Sequence, residues 1–226
     1  SNKSYKVAGG LHGVGASVVN ALSEWLEAKV FKDGKTYSQT YMKGDPVTEL
    51  IVAPSKESKR GTMVTFKPDP TIFTETKFDY DIIAARLREL AFLNKDLTIE
   101  IIDKRPIPGA KHDVFHFEGG ICTFVEYLNE NKTKLIEKPV YICGEKDDVI
   151  VEVALQYNDG YLESIYTFVN NINTVEGGTH LIGFRAALTR TINDYARKEK
   201  MLSGKDELTI EGRDVREGLV AILSLR

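Results

Sequence analysis

The chain has 226 residues, with 42% hydrophobic and 28% charged content and a formal net charge of −3. That balance fits one large or two small globular domains with an apolar core of their own, and it excludes nucleic-acid binding by bulk charge, so any such contact needs a local stripe of Arg and Lys. No apolar run approaches the roughly 18 residues of a membrane span, no secretory leader is recognisable in the first residues, and Cys122 and Cys143 lie in apolar stretches where reduced core thiols are expected.

From the start, a short Gly-rich loop runs into a helix, with Val18, Val19, Leu22, Trp25 and Leu26 near helical spacing; strand character takes over from Ser23 to Phe31. Trp25 is expected in the core. Asp33-Gly34 is a hairpin signal before a strand over Lys35 to Met42. Val47 to Ala53 and Thr62 to Lys67 read as further strands around a charged loop. Phe78 to Leu93 is an amphipathic helix with Ile83, Leu87 and Leu90 on one face. Strands at Leu97 to Asp103 and Val114 to Phe117 follow, separated by a Pro-Gly turn at residues 106–109.

Glu118-Gly119-Gly120 is the candidate boundary between two units. Beyond it the pattern predicts a helix over Ile121 to Leu128 and strands at Val140 to Cys143, Val149 to Tyr157 and Leu162 to Val169. Asn158-Asp159-Gly160 reads as a hairpin turn joining the last two. A long helix from Thr179 to Arg197 would bury Leu181, Phe184, Leu188, Ile192 and Tyr195. A polar, mobile stretch from Lys198 to Asp214 and an apolar strand from Leu219 to Leu225 close the chain. The order of elements points to an α/β (α+β) protein of two units, each with a mostly antiparallel or mixed sheet and helices on one face.

Residues 9–15 read Gly-Gly-Leu-His-Gly-Val-Gly, directly before the first helix. Glycine admits positive φ and close approach of the backbone to a ligand. The first N–H groups of a helix are unpaired and sit at the positive end of its dipole. Together these form a cradle for phosphate. A flexible turn is the plainer alternative. A P-loop is ruled out because no Lys follows Gly15, and the dinucleotide fingerprint has its glycines in the reverse order.

The longer string from Tyr5 to Ser23, YKVAGGLHGVGASVVNALS, resembles the ATP-lid motif of the ATPase subunits of bacterial type II DNA topoisomerases, those of DNA gyrase (gyrase B) first and those of topoisomerase IV next. They share an ATPase family with the Hsp90 chaperones, the MutL repair proteins and the histidine kinases. The likeness continues through Arg60-Gly61-Thr62-Met63-Val64, Leu87 to Asn94, Phe117-Glu118-Gly119-Gly120, Phe124 to Asn129, Glu152 to Gln156, Gly177 to Leu181 and Arg216 to Leu219, so it covers essentially the whole chain.

The resemblance implies a partial GHKL-type ATPase sandwich over residues 1–117, including the lid, and a transducer domain of the ribosomal protein S5 domain 2-like type over 118–226. It also implies that Gly9, Gly10, Leu11, His12, Gly13, Val14 and Gly15 close over the ATP triphosphate, with His12 contacting through its backbone. Tyr5 would meet the adenosine end, and Thr62 would lie beneath the adenine pocket. In this family the water-activating Glu, the Mg²⁺-binding Asn and the adenine-reading Asp precede the lid, and a Gln-Thr-Lys loop that touches the γ-phosphate follows the last strand. None of these positions lies within the 226 residues, so no catalytic residue is assigned and the Mg²⁺ ligands are expected elsewhere. The partners implied are DNA, gyrase A in a heterotetramer of two A and two B subunits, and a second gyrase B on ATP binding. The implied location is the cytoplasm.

Two further groups bear weighing. His112 and His116 are four apart on a predicted strand, about 13 Å, too far to share a metal ion. Arg185, Arg190 and Arg197 lie on the long helix away from its apolar stripe. A solvated face is the plain reading; by the resemblance they would line a cavity and meet DNA phosphates without sequence preference. A non-enzymatic nucleic-acid-binding module is the alternative from another class.

Overall fold

The computed structural model describes residues 13–55, 60–106, 109–201 and 209–226. Backbone contacts divide it into two compact units, the first ending at Asp79 and the second running over Tyr80–Arg226.

In the first unit, α1 (Gly15–Ala21) leads into β1 (Ser23–Lys32) and β2 (Lys35–Met42). Asp33 and Gly34 both take positive φ, as a two-residue hairpin needs, and leave Lys32 opposite Lys35. A second tight turn at Lys43-Gly44 starts β3 (Asp45–Pro46), and β4 (Ile51–Pro54) and β5 (Gly61–Pro68) complete an antiparallel sheet ordered β3-β2-β1-β5, with β4 also on β2. The single strand expected over Val47 to Ala53 is therefore two short ones. Thr48 explains the break: its hydroxyl accepts from the Thr40 N–H at 3.0 Å and replaces a rung of the backbone ladder. Trp25 is only half-buried; Ser23 and Leu26 are the buried residues of β1. The Ser23 hydroxyl donates to Val19 O at 2.6 Å and closes the end of α1.

The second unit begins with α2 (Tyr80–Leu93), which lies on the hairpin of β6 (Ile99–Ile102) and β7 (His112–Phe115). Its buried stripe is Tyr80, Ala84, Leu87 and Ala91, rotated from the expected Ile83-Leu87-Leu90 face, because small Ala side chains let the helix sit close to the hairpin. Then come α3 (Ile121–Leu128), β8 (Val140–Lys146), β9 (Val149–Tyr157), β10 (Ser164–Val169), β11 (Ile172–Asn173), α4 (Thr179–Lys198), α5 (Gly212–Arg216) and β12 (Leu219–Leu225). The strand order is β11-β10-β12-β9-β8, with β10 and β12 parallel and the other pairs antiparallel.

That order overturns the hairpin expected at Asn158-Asp159-Gly160. β9 and β10 are not neighbours, because β12 inserts between them. The turn signal is real but local: Asn158 Oδ1 accepts from the Gly160 N–H at 2.8 Å, turning the chain without pairing the strands on either side. Helices also cover both faces of this sheet rather than one. Phe92 of α2 and Phe124 and Val125 of α3 pack with Ala154, Phe168, Val220 and Ile222 on one side, and Phe184 and Leu188 of α4 pack against Val153, Leu155 and Leu219 on the other. β12 is thus buried on both faces, which is why Leu219 to Leu225 is apolar but for Ser224 and shows no alternation.

Several smaller expectations change. On α4 the stripe drifts toward Asn193 and Ala196, so Tyr195 is exposed. Of the cysteines, Cys122 is partly buried, with burial pushing its thiol pKa up, but Cys143 is exposed on β8, the sheet's edge strand; both are free thiols. The polar stretch after α4 contains α5, which the sequence reading lacks, while 202–208 lie outside the described residues. Gly120 is the N-cap residue of α3, with φ 57°.

Candidate functional site

Of the nucleotide-lid residues, Tyr5, Gly9, Gly10, Leu11 and His12 lie outside the described residues. Gly13, Val14 and Gly15 are described and form the entry to α1. Gly13 has φ 63°, the left-handed region that glycine enters without a Cβ penalty. Val14 is the N-cap residue and makes no side-chain capping bond, and the first turn of α1 holds no acid. Among the described residues no side chain caps those N–H groups, and no carboxylate in the helix's first turn competes for them. Among the described residues, a Cβ built on Gly13 or Gly15 would meet nothing within 4 Å. What fixes glycine at position 13 is its backbone angle, not crowding.

Thr62 sits on β5 opposite Val30 of β1, exposed, and shares its strand face with Val64 and Phe66. Val30 is seven residues along β1 from Ser23, about 23 Å at strand rise. Among the described residues no contact joins Thr62 to Gly13–Gly15. A separate hollow of about 320 Å³ lies beside α1, lined by Val18, Val19, Leu22, Phe66, Phe73 and Phe78. Its apolar walls suit a hydrophobic group, and Ser23, Glu75, Thr76 and Lys77 also line it.

The three arginines on α4 have different surroundings. Arg185 is engaged: its Nε donates to Glu163 Oε1 at 2.7 Å, and Arg216 Nε donates to Glu163 Oε2 at 2.9 Å. Burial raises the Glu163 pKa, but the hydrogen bonds from Arg216 and Arg185 outweigh it and leave the carboxyl below its ordinary value. Arg190 and Arg197 are exposed, with Arg197 3.4 Å from Asp194. Seven residues apart on one helix, they point the same way.

His112 and His116 have separate partners: His112 Nε2 lies 2.7 Å from Glu100 Oε1, and His116 Nδ1 lies 3.3 Å from both Thr98 Oγ1 and Leu97 O. Among the described residues no group of three His, Cys, Asp or Glu side chains is placed to hold a metal ion. No described helix is long and apolar enough to cross a membrane. The sequence reading passed over two polar clusters, the Arg185-Glu163-Arg216 bridge and a contact between Asn94 and Asn171. Only the Asn170-Asn171 turn signal could have pointed to the latter.

A family model described as DNA gyrase B matches residues 120–226. The DNA gyrase B subunit of Halalkalibacterium halodurans is 55% identical over 223 residues, 98% of this chain and 34% of that protein. The Bacillus mycoides protein of the same name is 54% identical, covering 98% of this chain and 54% of that sequence. This chain therefore spans about a third to a half of the length of the curated relatives it matches. Among solved structures, the 43K ATPase domain of Thermus thermophilus gyrase B in complex with an aminocoumarin superposes with a TM-score of 0.82 at 41% identity, over 95% of this chain and 58% of that one. The topoisomerase IV ATP-binding domain of Francisella tularensis, in complex with a small-molecule inhibitor, gives a TM-score of 0.74 at 26% identity, over 96% of this chain and 58% of that one. With the lid string, the mixed α/β architecture and identity above 50% along nearly its whole length, the chain belongs to the gyrase B family of bacterial type II topoisomerase ATPase subunits.

Proposed function

We propose that this chain carries the ATP-binding lid and the transducer portion of a gyrase B protein, and that the complete protein couples ATP binding and hydrolysis to DNA strand passage and negative supercoiling. The observation that carries the reading is the entry to α1: Gly13 in the left-handed region, leading straight into an uncapped helix N-terminus with no acid in its first turn. Such an end holds a triphosphate through backbone N–H groups and the helix dipole. Residues 9–15 would close over the phosphates, Tyr5 would meet the adenosine end and Thr62 would lie beneath the adenine. The segment 1–117 belongs to the nucleotide domain in this reading, and 118–226 to the transducer.

The entry to α1 suits the phosphates of ATP, while the Mg²⁺ ligands are expected outside this chain; among the described residues no group of three His, Cys, Asp or Glu side chains is placed to hold a metal ion. We derive no step through the metal. Exposed Arg190 and Arg197 serve as contacts to the phosphates of a DNA segment, with Arg185 as a third member if its bridge to Glu163 opens. The partners are DNA, gyrase A and a second gyrase B, and the setting is the cytoplasm. The test is ATP titration of the full-length protein, followed by supercoiling of relaxed plasmid with gyrase A added. Saturable ATP binding and ATP-dependent supercoiling are expected. A protein that binds DNA but no nucleotide would instead be a nucleic-acid-binding module.

A further inference from the structure

We propose that Asn171, with Asn94 and Arg86, is the positioning contact through which α2, in the segment assigned to the nucleotide domain, sets the position of the transducer sheet. This rests on the function proposed above and adds the residues that carry its coupling.

The contact is built from a turn and a helix end. Asn170 and Asn171 both take positive φ, 49° and 66°, and form the tight turn between β10 and β11. Asn171 Nδ2 donates to Asn94 Oδ1 at 3.1 Å. Asn94 Nδ2 donates in turn to Leu90 O at 2.8 Å and so caps the C-terminal end of α2. Further back on that helix, Arg86 Nη2 donates to Asn171 O at 3.0 Å, while Glu89 pairs with the same guanidinium. On the far side of the turn, the Asn170 N–H donates to Leu225 O at 2.8 Å, the last residue of the central strand β12. A continuous run of hydrogen bonds therefore joins the end of α2 to the end of β12.

Most of the remaining packing of α2 against this sheet is apolar. Phe92 stacks on Phe117 at 3.7 Å and on Phe124 at 4.7 Å between ring centroids. Stacked rings hold two elements together but tolerate sliding, whereas amide and guanidinium bonds to fixed acceptors select one register. One atom of the contact is unsatisfied: Asn171 Oδ1 is buried with no hydrogen-bond partner among the described residues. The amide cannot simply flip, because Asn94 Oδ1 already takes its N–H.

The experiment uses the full-length protein in complex with gyrase A. Asn171→Gly keeps the positive φ and removes the amide, Asn94→Ala removes the acceptor, and Asn94→Asp keeps an oxygen where Asn171 donates. Nucleotide affinity, ATPase without DNA, thermal stability and supercoils introduced per ATP are measured together. We expect Asn171→Gly and Asn94→Ala to keep the first two while supercoils per ATP fall by roughly 3- to 10-fold, with Asn94→Asp, which keeps the acceptor for Asn171 but loses the donor to Leu90 O, falling less than Asn94→Ala. An unchanged yield in both disruptive variants would overturn the proposal. So would a loss that merely parallels nucleotide affinity or stability, since that is what a purely structural contact gives. Failure of the unaltered protein to bind ATP would instead remove the functional reading, and this proposal with it.

Discussion

Gly218 stands directly against the carbonyl of Asn158: a Cβ at position 218 would lie 2.3 Å from Asn158 O and 2.8 Å from Gly160 O. The Asn158 N–H also donates to Gly218 O at 2.9 Å, so the two segments meet backbone to backbone where β12 enters the sheet. With φ 68° at Gly218 as well, any side chain is both strained and blocked by atoms that cannot rotate away. Gly218→Ala should cost about 2–4 kcal/mol, read as a lowered Tm and denaturation midpoint. A Tm within a degree of the unaltered protein would show that the loop at 158–160 yields.

Gly13→Val in the full-length protein should abolish ATP binding while the protein stays folded, with the Tm lowered only by the local strain at φ 63°. A β-branched residue resists φ 63° and adds bulk to the loop. Because no described atom lies within 4 Å of a Cβ there, crowding adds nothing to the strain at φ 63°. Nucleotide titration beside a thermal melt checks both halves. Full affinity in the variant would remove the loop from the site.

Glu163 makes the second unit sensitive to acid. Arg216 and Arg185 hold its folded-state pKa below the ordinary value of 4.5 despite partial burial. The unfolded chain takes up the proton first as pH falls. The stabilisation is therefore complete above about pH 5 and is lost as pH drops through the lowered folded pKa. Glu163→Gln should lower stability at pH 7 by about 1–3 kcal/mol and flatten the acid limb. Parallel stability-against-pH curves for the two proteins would mean the bridge contributes nothing.

Arg190→Glu with Arg197→Glu should weaken DNA-stimulated ATPase and spare the basal rate. Both side chains are exposed on the side of α4 away from Phe184 and Leu188, so the core stays packed. For every phosphate ion pair removed, the log–log salt slope of DNA binding should fall by about one. Equal stimulation and an unchanged slope would mark this as an ordinary solvated face.

The elements legible in the sequence are those whose determinants lie close together along the chain. The Asp33-Gly34 hairpin, the bounds of α3 and the apolar β12 follow from turn chemistry and periodicity over a few residues. The entry to α1 is legible for the same reason, since Gly13, Val14 and Gly15 meet the helix within a single turn. What only the tertiary structure decided depends on contacts between distant residues. The insertion of β12 between β9 and β10 follows from burying Leu219–Leu225 on both faces, which no local turn signal at Asn158 encodes. The tie between Asn94 and Asn171, 77 residues apart, and the bridge from Glu163 to Arg216, 53 apart, exist only once the sheet has brought their elements together. A polar side chain reads as solvated surface until the fold supplies the neighbour that its buried atoms require.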